Sequence, residues 1–330
     1  MTVPAHFQAF RIHADAGVHR SSIESISLGD LNPGEVVIKT AYSSVNFKDA
    51  LAGTGEGKIL RKFPLVGGID VAGYVIASTD AAFREGDAVL VTGSGLSETR
   101  DGGYGEYARL DAKWVVPLPR GLDLREAMIL GTAGFTAALG LLRMVDNRQT
   151  QESGPLAVTG ATGGVGSLAV AIFHKAGFEV HAISGKPEHA PYLKSLGASE
   201  VLGRDALTTT RPMESTRFGG GLDNVGGPML ASLIAQTAPY GNVASAGLAA
   251  SHALDATVMP FIIRGVSLLG VASAGTARDI RDEIWRRLAN EWKPTTLDAI
   301  CTREIGLDGL PEVFRRMLAG GSLGRTLVRL

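Results

Sequence analysis

The sequence predicts an α/β fold in two domains, a β-rich unit joined to a doubly wound parallel sheet. Three observations lead there. A chain of 330 residues is longer than one hydrophobic core usually supports, and 45% hydrophobic content is enough to fill two. Residues 156–166 read LAVTGATGGVG, an apolar strand running into a loop with glycines at 160, 163, 164 and 166 and then into a helix. From about residue 125 to 275 strand and helix patterns alternate, whereas before Pro119 short apolar runs are divided by Gly, Pro and Asp turns.

In chain order, strands are expected at 35–39, 73–77, 88–92 and 114–117, then helices at 125–130 and 134–145. The second half should supply strands at 156–159, 179–184, 201–202, 221–225, 242–246 and 266–271. The helix after the glycine loop carries Leu168, Ala169, Ile172 and Ala176 at helical spacing, and Gly177 stops it. Residues 277–292 form a charged amphipathic helix. A last apolar strand, 326–330, needs a sheet to join, and the β-rich unit has open positions for it. No internal repeat and no low-complexity segment is present.

Net charge of −1 gives no long-range attraction to nucleic acid or anionic membranes. The first residues lack an apolar signal core, and no uninterrupted apolar run approaches about eighteen residues, so a cytoplasmic protein is expected. Cys301 is the only cysteine, which excludes an intrachain disulfide and a thiolate metal cluster.

The strand, loop, helix and strand of residues 156–183 are what a dinucleotide-binding turn requires. Glycine lets the backbone approach a pyrophosphate, and the helix start offers free N–H groups and a positive dipole. Thr162, Gly163, Gly164 and Val165 are the expected contacts. An NAD site would place a carboxylate at the end of the second strand, where this chain reads Ser184, Gly185, Lys186. A hydroxyl and an ammonium, with Arg204 beyond the next strand, suit a 2′-phosphate, so NADPH is expected.

Over nearly its whole length the chain resembles the medium-chain dehydrogenases and reductases. Besides the glycine loop, GIDVAG at 68–73 stands where the zinc alcohol dehydrogenases carry Gly-His-Glu, and EGDAVLV at 85–91 and GGYGEYA at 102–108 follow in family order. Ile69 replaces the zinc-binding histidine, and one cysteine cannot supply the thiolates, so the chain looks like the zinc-free, quinone-oxidoreductase-like branch. Within it, SSVNFKDAL at 43–51, GKILRKFPLVGGIDVAG at 57–73, MILGTAGFTA at 128–137, YLKSLGAS at 192–199, TVMPFIIRGVSLLGV at 257–271 and GRTLV at 324–328 resemble the acrylyl-CoA reductase family.

The resemblance implies a GroES-like catalytic domain made of residues 1–123 and 276–330, a Rossmann domain of residues 124–275, and a homodimer. It implies NADPH-dependent reduction of acrylyl-CoA to propanoyl-CoA. Without a metal to acidify an alcohol, alkene reduction is also the easier chemistry, because it needs positioning and donors around the thioester oxygen. The resemblance puts Asn46, Phe47, Lys48 and Asp49 at the mouth of the site, with Phe47 against the cofactor. Asn46 would donate to the nicotinamide ribose or the thioester oxygen, and Lys48 and Asp49 would pair. As a bare reading of the residues, Asn46 is equally a turn former and Asp49 a helix cap.

The family commonly has tyrosine where Phe47 stands, so water would supply the proton. Lys58, Arg61 and Lys62 either contact the phosphates of coenzyme A or form a solvated face, and Arg325 is expected to hold the acyl-CoA or NADPH. Segments resembling the family's nicotinamide pocket place Ile262 against the ring and Ser273 as a hydroxyl, with Leu248 also at the cofactor. His174 and His181 read as structural, and Asp223 as the residue that orders the loop after its strand. Two other functions share these features, an NADPH:quinone oxidoreductase and a non-catalytic NADPH-binding protein.

Overall fold

A computed structural model describes residues 3–15 and 18–330. The first eight strands are β1 (Phe7–Asp15), β2 (Val18–Ile26), β3 (Val36–Ser44), β4 (Leu65–Val66), β5 (Asp70–Ser78), β6 (Ala88–Thr92), β7 (Tyr107–Leu110) and β8 (Val116–Pro117). Helix α1 (Phe47–Thr54) leaves the end of β3, and α2 (Leu124–Asp146) follows β8. Then come β9 (Leu156–Thr159), α3 (Gly164–Lys175), β10 (Val180–Ile183), α4 (Ala190–Ser195), β11 (Glu200–Leu202), β12 (Phe218–Asp223), α5 (Gly227–Gln236), β13 (Thr237–Ser245), α6 (Met259–Arg264) and β14 (Ser267–Gly270). Helices α7 (Arg278–Ala289) and α8 (Leu297–Ile300), strand β15 (Cys301–Ile305), helix α9 (Leu310–Leu318) and strand β16 (Arg325–Arg329) complete the chain.

Two compact units result. The first comprises residues 1–132, 274–282 and 301–330. Its larger sheet runs β15-β16-β3-β5-β6-β8, with β7 also on β3, and a small sheet runs β2-β1-β4. The C-terminal strand does return to this unit, pairing Leu327 with Ser44 of β3. Phe10, Tyr104 and Phe314 meet edge-on or tilted in one apolar core, which joins the small sheet to α9. A second core, with Val36, Val71, Val89 and Leu110, fills the larger sheet.

The second unit comprises residues 133–273 and 283–300. Its six strands are all parallel, in the order β11-β10-β9-β12-β13-β14. The order reverses direction at β9, the place where open α/β sheets bind ligands beyond the carboxyl ends of their strands. Strand β9 is buried at every position, as a central parallel strand covered on both faces must be.

The unit limits differ from those expected at 123 and 275. Residues 124–132 stay with the first unit because Thr132 bonds to Asp70 there. Residues 283–300 join the second, where the buried Trp285 ring lies 6.1 Å from Phe135. Helix α2 also merges the two helices expected at 125–130 and 134–145. Gly131 divides it, with φ 49° and ψ −154°. Although α2 is long and apolar enough to cross a membrane, the most apolar stretch is 83% buried, which makes it a core helix.

Candidate active site

Candidate site residues form two clusters, one in each unit. In the first unit, the ends of β3, β5 and β16 and the kink of α2 converge on Asp70. A buried carboxylate has to be met by donors, since an isolated charge in an apolar interior is expensive. Asp70 accepts from Ser44 Oγ at 2.6 Å, Asn46 Nδ2 at 2.8 Å, Thr132 Oγ1 at 2.6 Å and the Thr132 N–H at 3.0 Å. The Thr132 N–H opens the helical segment after the kink, so Asp70 caps a helix start with negative charge. A Cβ at residue 131 would lie 2.6 Å from Asp70 Oδ2 and 2.8 Å from Ser44 Oγ, and only glycine fits there.

Arg325 closes this cluster from β16. It is 2% exposed. Its Nε donates to Ile129 O at 3.0 Å, Nη1 to Val45 O at 2.9 Å and to Asn46 Oδ1 at 3.1 Å, and Nη2 to Ser44 Oγ at 2.6 Å. Nη2 also stands 3.8 Å from Asp70 Oδ2. Burial works against the guanidinium charge, and Asp70 and Asp49 favour it. The expected contact of Arg325 with acyl-CoA or NADPH is therefore corrected: its donors are spent inside the unit.

Asn46 and Asp49 form the capping box of α1. Asp49 Oδ2 accepts from the Asn46 N–H at 2.9 Å, and Oδ1 accepts from the Ile69 N–H at 2.9 Å. Asn46 Nδ2 divides its two hydrogens between Asp70 and Asp49, at 2.8 and 3.2 Å, so the amide has none left for a ligand. The catalytic donor role expected of Asn46 gives way to a structural one. Asp49 is 1% exposed. Burial and then the Asp70 carboxylate push it up to about 7, against the N–H groups that favour its charge. Burial likewise raises the Tyr104 hydroxyl well above its usual range, so it stays protonated and donates to Ser44 O at 3.1 Å.

Lys48 does not pair with Asp49, because Asp49, about 100° further round the helix, points inward to the Asn46 and Ile69 N–H groups. Its Nζ instead meets Glu98 Oε2 at 2.5 Å, and Arg61 Nε lies 3.4 Å from Glu98 Oε1. Phe47 is 47% exposed, and Lys58, Arg61 and Lys62 are exposed.

In the second unit, the glycine-rich turn has the expected form. Gly163 is the N-cap of α3, which begins with Gly164 and Val165, and Thr162 is buried in the turn. A Cβ on Gly166 would overlap Gly160 O, so glycine brings the helix against the loop. Asp223 orders the neighbouring loop as expected: it accepts from Thr159 Oγ1 and the Gly226 N–H, each at 2.7 Å. At the end of β10, Ser184 Oγ accepts the Lys186 N–H at 3.1 Å. Arg204 packs on Gly185 so closely that a Cβ there would strike its guanidinium. Four residues expected at a ribose phosphate are thus adjacent. Leu248 and Ile262 are exposed, at 66% and 76%, and Ser273 Oγ accepts from Thr136 Oγ1 at 2.8 Å. His181 lies between Glu179 and Glu200, on the flank of the sheet.

Sequence reasoning missed Asp70, Ser44, Thr132, Tyr104 and Glu98. A signal existed for the first: Asp70 and Arg325 each begin an apolar strand, and two such charges require each other. Among the described residues no group of three or more His, Cys, Asp or Glu is arranged to hold a metal.

Residues 32–120 match the model of the alcohol dehydrogenase GroES-like domain, and residues 164–290 that of the zinc-binding dehydrogenases. YhfP of Bacillus subtilis, named as a quinone oxidoreductase, is 44% identical over 98% of this chain and 99% of its own length. Its crystal structure with NAD bound has a TM-score of 0.96, covering 99% of this chain and 100% of that one. Acrylyl-CoA reductase AcuI of Ruegeria pomeroyi is 43% identical over 95% of this chain and 96% of its own. The YhdH oxidoreductase of Salmonella enterica, solved in complex with NADP, has a TM-score of 0.95 and 44% identity over 98% of this chain and 99% of that one.

Proposed function

Because the chain belongs to the quinone-oxidoreductase-like branch of the medium-chain dehydrogenases and reductases that includes the acrylyl-CoA reductases, we propose that it reduces acrylyl-CoA to propanoyl-CoA with NADPH. The observation that carries this reading is Lys48, an ammonium fixed by Glu98 on the first turn of α1 with two N–H donors to spare.

The cofactor fits the second unit. Thr162, Gly163, Gly164 and Val165 would cradle the pyrophosphate, and Ser184, Gly185, Lys186 and Arg204 the 2′-phosphate, with no carboxylate at the tip of β10. Ile262, Leu248 and Ser273 would meet the nicotinamide end. Bound NADPH would supply a hydride. Zinc does not fit, since Ile69 has no ligand atom and the Asp70 carboxylate is taken up by Ser44, Asn46 and Thr132.

In the substrate a hydride adds to the β-carbon, the π electrons move to the thioester oxygen, and a proton then joins the α-carbon. Lys48 would hold that oxygen as charge develops on it. Phe47 has no proton to give, so water delivers the one at the α-carbon. The exposed cations Lys58 and Arg61 would contact the phosphates of coenzyme A. Steady-state turnover of acrylyl-CoA, free acrylate and a simple quinone with NADPH tests the reading. Efficient use of the quinone with no turnover of acrylyl-CoA would move the assignment to a quinone oxidoreductase, the reading that the name of YhfP favours.

The partner we propose is a second copy of the chain. Strand β14 is an edge strand that carries the exposed Leu268, and helix α6 just before it carries the exposed Ile263. Two such edges can pair antiparallel about a two-fold axis and cover both. A monomer by light scattering at micromolar concentration would exclude this.

A further inference from the structure

We infer that Glu98 is a positioning residue, which fixes Lys48 where the thioester oxygen gains charge; the inference rests on the reading of Lys48 just given. A lysine on a first helical turn has four rotatable side-chain bonds and loses much of its rotamer freedom when it is held in one pose. Catalysis by a developing-charge contact requires that this pose exist before the substrate arrives. Glu98 provides it from the segment that joins β6 to β7. Its Oε2 meets Lys48 Nζ at 2.5 Å, and the two side chains are 23% and 34% exposed.

The segment carrying Glu98 is built to be rigid. Ser94 and Ser97 hold φ values of 55° and 54°, in the left-handed region that L-residues rarely occupy, and Gly93 and Gly95 lie there too. Such residues persist only where their surroundings enforce them, and they collect at working sites. Here the N–H groups of Glu98, Thr99 and Arg100 all converge on Gly95 O, Ser97 N–H donates to Arg100 O at 2.8 Å, and Leu96 and Ser97 are buried. Glu98 also accepts the Arg61 N–H on its own backbone oxygen at 2.8 Å, which ties the cationic segment to the same loop. Arg61, at 74% exposure, stays outside, while Lys48 is held. Two cations around one carboxylate leave a net positive charge, so the pair remains receptive to a developing anion.

The chemistry separates this from a purely structural ion pair. Loss of Lys48 should lower kcat for acrylyl-CoA roughly a hundredfold with little change in KM, as removal of an oxyanion donor does. Glu98→Gln keeps the shape, releases the lysine, and should lower kcat about tenfold. The two effects should not add: Glu98→Gln in a Lys48→Met background should cost nothing further. Glu98→Asp should recover part of the loss. The binding of free coenzyme A and of NADPH, measured by calorimetry, should stay as in the wild type.

Additive effects, a change confined to KM, or a lost melting temperature with normal kcat would each overturn the inference. The wild type is assayed first with acrylyl-CoA and with a quinone. Turnover of the quinone alone would sink the thioester reading, and the same four variants read on the quinone would then decide whether Glu98 positions Lys48. A wild type that reduces neither overturns both.

Discussion

Arg325 Nη1 lies 3.1 Å from Asn46 Oδ1, although the two residues stand 279 positions apart in the chain. That contact joins the last strand to the first turn of α1, and through Ser44 and Asp70 it reaches the kink of α2. Removing one member of a buried charged network leaves the other unpaired, at a cost of about 3 to 5 kcal/mol. Arg325→Ala should therefore lose about that much stability in urea denaturation and depress acrylyl-CoA and quinone turnover together. A fully stable variant defective only with acyl-CoA would return Arg325 to substrate binding.

The buried Asp49 carboxyl gives stability a pH dependence of unusual sign. Its value near 7 in the folded chain exceeds the usual carboxylate range, so between about pH 4 and 7 the folded state holds a proton that the unfolded state has released. Stability from this group is complete below about pH 4 and is lost as pH rises through 7. The wild type should lose stability relative to Asp49→Asn across that window, read as the difference in melting temperature at pH 5 and pH 8. Parallel curves for the two proteins would show that Asp49 is ionised throughout.

Periodicity located the parallel sheet because its strands contain short apolar runs, such as Leu156–Val158 in β9 and Leu268–Leu269 in β14, that end in glycine or a polar turn. The glycine loop was legible for the same local reason, since Gly163, Gly164 and Gly166 do their work within a few residues of one another. What escaped was long-range. Asn46 reads as a ligand donor until Asp70, Asp49 and Arg325 are seen to take all its hydrogen bonds, and two of those partners, Asp70 and Arg325, come from distant parts of the chain. Glu98 sits in a polar stretch, SGLSETRD, that has no periodicity at all. The hairpin β1–β2 was missed although Phe10, Ile12 and Ala14 alternate with Arg11 and His13, because the partner strand β2 breaks the pattern with four polar residues in a row, 19–22. The Lys48 pairing failed because helical geometry points residues 48 and 49 about 100° apart, so neighbours in sequence face different surroundings.

Activity should survive removal of metal ions. Ile69 offers no ligand atom, and burial raises the single thiol, Cys301, which donates to Arg303 O at 3.6 Å. Prolonged dialysis against a strong chelator should leave turnover within error of the untreated enzyme, and activity lost on dialysis but restored by zinc would refute this. Cys301→Ser should be nearly neutral, because a half-buried thiol with a weak contact packs more than it reacts.

The last prediction concerns the choice between NADPH and NADH; of two relatives at 44% and 43% identity, one was solved with NADP and the other with NAD. The tip of β10 presents Ser184, Gly185 and Lys186, and Arg204 lies against Gly185. A 2′-phosphate would gain charge-assisted contacts worth roughly 1.5 to 3 kcal/mol each, so even one net contact favours NADPH about tenfold or more. Lys186→Glu and Arg204→Glu should each weaken NADPH binding and leave NADH unchanged or improved. Gly185→Ala makes a sharper test, because it touches no charge. Its methyl group would displace the Arg204 guanidinium, so NADPH affinity should fall while NADH affinity and the melting temperature hold. If Gly185→Ala weakens both cofactors equally, the glycine serves only the backbone path of the loop and Arg204 has no part in the selection. If all three variants keep the wild-type preference by fluorescence titration, the phosphate is recognised elsewhere.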